Sequence, residues 1–356
     1  MDSRTKLAIC AVVVSVAGIL IYLTRTPSAE ERASDRSSGA SGSTIASITP
    51  PIASAPASSS TEAEASTIDG DDGGTRLLLR AGWGSGKGEL GRERPQEGNP
   101  EGPMSFAIAD GDLFVLDQVN SRLARYDRDG KLIRTFDAPS TAQDVVVAKD
   151  GTIAMVDRLV GKSVTLTDAN GRKVGELSLS SKIDEPGLVT ALVIDGKNVY
   201  AEKEHGALVL LGSTDGTPAE EGTQLIGRPS KDGTLLLTAG FSSAREGRAY
   251  LNAVDRKTDA LRFARAIQFP HPSRSIVLLD TDAKGTIYLG VVAGSPGDAH
   301  VACLDPGDGH VIGRVVLPVS HTPEESFRDI TVANDGTIVF ALRTEDSVEY
   351  RAARCP

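Results

Sequence analysis

The chain has 356 residues, 40% of them hydrophobic but only 4% aromatic, with 37 glycines, 18 prolines, and 38 basic against 48 acidic side chains. These proportions exclude a collagen, a disulfide-dense miniprotein and a wholly disordered chain. The net charge of −10 argues against a nucleic-acid partner, because phosphate backbones select proteins with basic faces.

Composition changes sharply near residue 75, so the two parts are read separately. Residues 1–6 form a short head carrying Arg4 and Lys6. Leu7 to Leu23 then run without a charge, and about 17 to 20 apolar residues suffice for a helix to cross a bilayer. Residues 7–24 are therefore expected to form a transmembrane helix, a signal anchor that holds the chain in the membrane. A cleaved signal peptide is the alternative, but Pro27-Ser28-Ala29 makes a poor cleavage site and the apolar run exceeds the usual length. Cys10 lies too early in the run for a lipidated cysteine and reads as a small buried hydrophobe. Basic residues are nearly balanced across the span, so charge does not orient it. A short basic head with a long polar domain behind it favours an extracytoplasmic carboxyl side.

Residues 25–74 are rich in Ser, Ala, Thr and Pro and lack any aromatic side chain. Such a stretch buries too little apolar area to offset its chain entropy, and it is expected to be a disordered linker. As a flexible coil it would reach roughly 35 to 42 Å.

From Ser105 onward one phrase recurs: an apolar strand, a tight turn at Asp-Gly or its equivalent, and a second apolar strand. The copies occupy 105–117, 145–157, 191–202, 227–240, 277–290 and 329–342, with turn glycines Gly111, Gly151, Gly196, Gly233, Gly285 and Gly336. Asp-Gly pairs tolerate the positive φ of hairpin turns, so each phrase predicts a hairpin. Most copies add two further strands, as at 122–136, 163–179 and 300–319. Four strands every 40 to 50 residues or so are the mark of a propeller blade, because an isolated meander must stack to bury its faces. Residues 75–356 are thus expected to form an all-β, six-bladed β-propeller of four-stranded antiparallel blades.

The last copy supplies only three strands, ending at 347–353. The stretch Thr75 to Trp83, TRLLLRAGW, belongs to no complete blade. Pairing it as the outer strand of the last blade would close the ring and satisfy both edges.

GWGSGKGELG, followed by a loop and SFAIADGDLFVLDQVNSRLARYDRDGKLIRTF, resembles an NHL repeat, in which a Gly-rich loop precedes a hairpin and an Asp-x-x-Asn-x-Arg turn. Here that turn is Asp117, Asn120 and Arg122. The match covers residues 80–136 well and extends more loosely to 179. The resemblance implies an interaction scaffold more often than an enzyme.

No catalytic signature emerges. GKGELG at 86–91 fits a dinucleotide fingerprint in spelling, but the sequence continues as a Gly- and Pro-broken loop where the fingerprint needs a helix. No cofactor is expected. The five histidines have no zinc spacing, although His205, His271 and His321 fall in loops expected on one face. They are the alternative metal set, for a hydrolase or lyase with a divalent ion at the propeller mouth. Glu202, Asp298 and Glu345 lie in loops of the same face. Cys303 and Cys355 would bond only with their Cα atoms within about 7 Å, and two separate thiols remain the other reading.

The principal expectation is a membrane-tethered, non-enzymatic binding scaffold. Its loop face would present Arg92, Arg94, Glu97 and Asn99 from the long 82–104 loop, together with Arg122, Arg158, Arg245 and Arg343. Long loops in compact domains are often functional. The partner would be a protein, peptide or glycan.

Overall fold

A computed structural model describes residues 74–220, 223–294 and 297–356. The head, the transmembrane helix expected at 7–24 and all but the last residue of the linker lie outside the described residues. Among the described residues, no helix is long and apolar enough to cross a membrane.

The strands form six four-stranded antiparallel sheets. β1 (Arg76–Gly82) comes first in the chain. Blade 1 follows as β2 (Ser105–Ala109), β3 (Asp112–Asp117), β4 (Arg122–Tyr126) and β5 (Leu132–Asp137). Blade 2 comprises β6 (Asp144–Val147), β7 (Ile153–Asp157), β8 (Ser163–Thr167) and β9 (Lys173–Ser178). Blade 3 is β10 (Val189–Asp195), β11 (Asn198–Lys203), β12 (Ala207–Ser213) and β13 (Gln224–Ile226). In blade 4 the strands are β14 (Arg228–Pro229), β15 (Leu235–Ser243), β16 (Arg248–Asp255) and β17 (Leu261–Gln268). Blade 5 contains β18 (Ser273–Thr281), β19 (Ile287–Ala293), β20 (Asp298–Leu304) and β21 (Val311–Leu317). Blade 6 takes β22 (Ile330–Val332), β23 (Ile338–Arg343) and β24 (Ser347–Ala353) from the carboxyl end.

β1 completes blade 6. It pairs antiparallel with β24 from Arg76 opposite Ala352 to Gly82 opposite Ser347, giving the order β1-β24-β23-β22. The six predicted turn glycines all adopt φ between 60° and 87°, the left-handed region in which a Cβ is strained.

Apolar alternation buries each blade against the next, and five of the six seams hold an apolar cluster. Blades 1 and 2 share Leu116, Leu123, Val145 and Met155; blades 2 and 3 share Val164, Leu177, Val199 and Leu211. Leu237 and Leu251 meet Leu289 and Leu304 between blades 4 and 5, and Val301 and Leu317 meet Ile338 and Phe340 between blades 5 and 6. The closing seam sets Leu79, Val348 and Tyr350 of blade 6 against Phe106, Val115 and Tyr126 of blade 1. Phe106 and Tyr350 stack edge to face at 5.2 Å. Among the described residues no such cluster spans blades 3 and 4. That seam carries ion pairs instead: Arg228 with Glu202 at 2.7 Å, and Arg256 with Asp195.

Cys303 on β20 and Cys355 in the carboxyl-terminal tail form a disulfide, with Cα atoms 6.5 Å apart. It resolves the open question of pairing and fastens the tail of blade 6 to blade 5. Constraining a loop with a sequence separation of 52 contributes about 4 kcal/mol in the chain-entropy account. Cys355→Ser is accordingly expected to melt well below the parent chain in oxidising buffer. Reductant should lower the parent's melting temperature and leave the variant's unchanged; equal melting of both in oxidising buffer would refute a stabilising bridge.

Candidate functional site: the loop face and the propeller axis

In an antiparallel meander alternate connections emerge at opposite ends of the strands. The 83–104 loop, the second-to-third-strand turns and the blade-to-blade connections therefore share one face. This loop face carries every residue expected to bind, and the structure shows what each one touches.

Most of the arginines fasten loops. Asp117, at the end of β3, accepts the Gly91 amide at 2.9 Å through Oδ1, and Asn120 Nδ2 at 2.9 Å and Arg122 Nε at 2.8 Å through Oδ2. Arg122 Nη2 continues to the Glu89 carbonyl at 2.7 Å, and Asn120 donates to the Gly84 carbonyl at 2.9 Å. The Asp-x-x-Asn-x-Arg element thus clamps the Gly-rich loop onto blade 1. No helix follows those glycines, in keeping with the rejection of a dinucleotide site.

The remainder of the long loop is bolted to blade 6. Arg94 donates to Glu324 Oε1 at 2.5 Å and to both carboxylate oxygens of Glu345 at 2.7 and 3.1 Å. Those bonds raise the Arg94 pKa and hold Glu345 below the usual carboxylate range. Arg92 reaches the Glu345 carbonyl at 2.8 Å and lies over the Trp83 ring at 4.9 Å. Asn99 donates to Glu325 at 2.6 Å, whereas Glu97 is exposed.

Arg158 donates to the Gly187 and Val189 carbonyls and stacks over Phe327 at 5.1 Å. Arg343 lies at the end of β23, 4% exposed, bonded to Asp329 at 2.8 Å and the Pro103 carbonyl at 2.8 Å. Of the predicted arginines, Arg245 alone is exposed in the β15–β16 turn with no bonding partner among the described residues.

The three histidines do not assemble. His205, His271 and His321 are all exposed, and His205 Nδ1 stands 3.7 Å from Glu202 Oε2. Among the described residues, only Asp305, Asp308 and His310 bring three ligand-capable atoms within 4.8 Å of one another. They lie on the opposite face, in the β20–β21 turn. There Asp305 accepts the Gly307 amide at 2.8 Å, and Asp308 accepts the His310 amide at 2.9 Å and meets its ring at 2.6 Å. These bonds account for the cluster as turn chemistry.

The axis holds a set of charges that sequence reasoning missed. Arg328, just before β22, forks onto Asp144 of blade 2 at 3.0 and 2.6 Å and donates to the Leu192 carbonyl of blade 3 at 3.2 Å. Asp144 also accepts Ser105 Oγ of blade 1 at 2.6 Å and the Leu192 amide at 2.9 Å. Four blades meet at this one carboxylate, whose side chain is 0% exposed. Arg228 of blade 4 forks onto Glu202 at 2.7 and 2.8 Å and reaches the Leu279 carbonyl of blade 5 at 3.1 Å. Lys231 bridges Asp280 at 2.8 Å and the Val332 carbonyl of blade 6 at 2.6 Å.

Burial alone would raise the Glu202 carboxyl, but the His205 and Arg228 contacts hold it well below its ordinary value. Burial works against the Arg328 charge, and Asp144 outweighs it to raise that pKa. A signal for this network was present in the sequence: Asp144, Arg228, Asp280 and Arg328 are charges set in or beside otherwise apolar inner strands.

No protein-family model and no curated protein sequence matches the chain. Among solved structures it is similar to hydrazine synthase from Kuenenia stuttgartiensis, at 14% identity and a TM-score of 0.45 over 69% of this chain and 76% of that one. A streptogramin B lyase matches at 11% identity and 0.42, covering 74% and 97% of the two chains. BamB from Moraxella catarrhalis matches at 14% and 0.40, covering 71% and 83%.

Proposed function

We propose that the chain is a membrane-tethered, NHL-like propeller that binds a protein or peptide partner on its loop face and performs no bond-making chemistry. The observation that carries this reading is the state of the axis. Asp144, Glu202 and Asp280 are each joined to a cation from another blade, which occupies them as ties between blades. The loop face is meanwhile a rigid polar platform, because its long loop is fastened at both ends by side-chain bonds.

Tethering is supported by the uncharged run Leu7 to Leu23, and extracytoplasmic placement by the Cys303–Cys355 bridge, since disulfides persist in oxidising compartments. The test is capture of envelope proteins by the intact chain and by a loop-face variant, Arg245→Glu. A partner retained by the parent and lost from the variant is expected. Equal retention by both, or turnover of a small substrate that depends on the axial carboxylates, would overturn the reading.

A further inference from the structure

Blade 4 lacks half of its inner strand. β14 pairs with β15 only through Arg228 opposite Leu237 and Pro229 opposite Leu236, and below them Ser230 donates to the Leu235 carbonyl at 3.0 Å. β15 nonetheless continues to Ser243. The neighbouring inner strands reach the loop face in full: β10 pairs from Val189 opposite Lys203, and β18 from Ser273 opposite Ala293.

The cause lies in the sequence between blades 3 and 4. β13 and β14 are separated by Gly227 alone, so one extended run is both the last strand of blade 3 and the first of blade 4. Its early part pairs with β12, ending at Ile226 opposite Ala207, and is unavailable to β15. Gly227 makes the crossing with φ +95°, in a position where a Cβ would lie 2.9 Å from the Leu237 carbonyl.

An open sheet edge follows. Because Leu235 and Leu237 direct their main-chain groups toward β14, the two-residue period directs those of Ala239 and Phe241 the same way. Neither residue has a main-chain or side-chain partner on that side among the described residues. The edge lies at the blade 3–4 seam, the one joined by ion pairs in place of an apolar cluster, and two large apolar residues of that region are exposed: Ile226 at 75% and Tyr250 at 40%.

One cation adjoins the loop-face end of this edge, the mouth of the open slot. Arg245 occupies the turn that ends β15, beside the start of β18, where the Ser273 amide donates to the Ala244 carbonyl at 2.9 Å; Arg274, next in β18, carries its guanidinium to Gly297 in the β19–β20 turn. Both arginines are exposed, and neither guanidinium has an acceptor within bonding distance among the described residues.

From this geometry we infer that the loop-face half of β15 accepts one extended strand of a partner peptide, which takes the place of the missing inner strand and sets an acidic residue against Arg245. Unpaired N–H and C=O groups recurring every second residue are complemented by another peptide backbone, and strand addition supplies affinity through main-chain bonds. The inference rests on the scaffold reading and specifies the partner's chemistry.

The experiment uses the full-length chain in mild detergent and an acetylated peptide of two aspartates followed by alternating valine and threonine. Its binding should slow hydrogen exchange at the Ala239 and Phe241 amides. Methylating alternate peptide nitrogens, the protein unchanged, should weaken it about tenfold or more, as loss of two or so main-chain bonds implies. Ala239→Pro removes one edge donor and Arg245→Glu the charge at the mouth; each should weaken binding to a similar degree. Exchange at those amides left unchanged by the peptide, or equal affinity for the methylated peptide, overturns the slot. If the slot fails while envelope partners are still captured in an Arg245-dependent way, the scaffold reading stands without it; if the peptide binds the edge but no partner is captured, the scaffold reading fails and the slot remains.

Discussion

A chain that begins at residue 84 is expected to lose cooperative unfolding, or to melt about 10 to 20 °C below one that begins at residue 74. β1 is the only element that separates them in blade 6, and it supplies the outer strand of a blade whose other three strands come from the opposite end of the chain. Without it Leu79 and Ala81 vanish from the seam they share with Tyr350, Phe106 and Tyr126, and β24 presents a bare edge. Burial of one leucine is worth roughly 1.5 to 3 kcal/mol, and the whole strand on the order of 5 kcal/mol, a large share of the 5 to 15 kcal/mol that typically holds a domain together. At roughly 2 to 4 °C per kcal/mol that loss gives the stated shift. Restoration of the melt by a peptide of residues 74–83 added in trans would identify pairing with β24 as the cause. Identical melting of the two chains would show that closure by β1 contributes nothing.

The second large effect is expected at the axis. Arg328→Leu leaves Asp144 buried with no guanidinium, and losing one partner of a buried pair typically costs about 3 to 5 kcal/mol. Arg328→Lys should recover only part of this, because a point charge cannot reproduce the two-pronged contact with Oδ1 and Oδ2. The double variant Arg328→Leu with Asp144→Leu should be more stable than Arg328→Leu alone, since no charge is then stranded. Denaturant midpoints of the four chains decide it. A single variant as stable as the parent would show that the pair is solvated and does not bind the blades together.

The Glu202–Arg228 pair adds a pH dependence of defined sign. The Glu202 carboxyl is depressed in the fold below its ordinary value of 4.5. Its contribution is therefore complete above about pH 4.5 and declines as the pH falls toward the folded value. Acid should loosen the blade 3–4 seam before the five apolar seams. Hydrogen exchange at the Arg228 amide, followed from about pH 5 down to about pH 3, reports that order.

The loop face is fastened by the same arginines that look from composition like free contacts. Arg92, Arg94 and Arg122 are occupied by Glu345, Glu324 and Asp117. Arg245, without a bonding partner among the described residues, lies in the turn that ends β15 of the incomplete blade 4.

The repeated hairpins, their turn glycines and the count of three strands in the last blade were legible in the chain itself. Asp-Gly turns and two-residue alternation are local properties, and a missing strand can be counted without coordinates. The clamp of Asp117, Asn120 and Arg122 was visible as a motif, though its object, the Gly84–Gly91 loop, was not. Tertiary structure alone decided the rest. Asp144 and Arg328 are 184 positions apart and Arg94 and Glu324 are 230 apart, so no window of sequence contains both members of either pair. The two-residue β14 arises because one run between blades 3 and 4 has two sheets competing for it, and pairing β12 with β13 leaves too little for β15. Local chemistry specified strands and turns; which charges meet at the axis, and which edge stays open, depended on the ring bringing distant blades together.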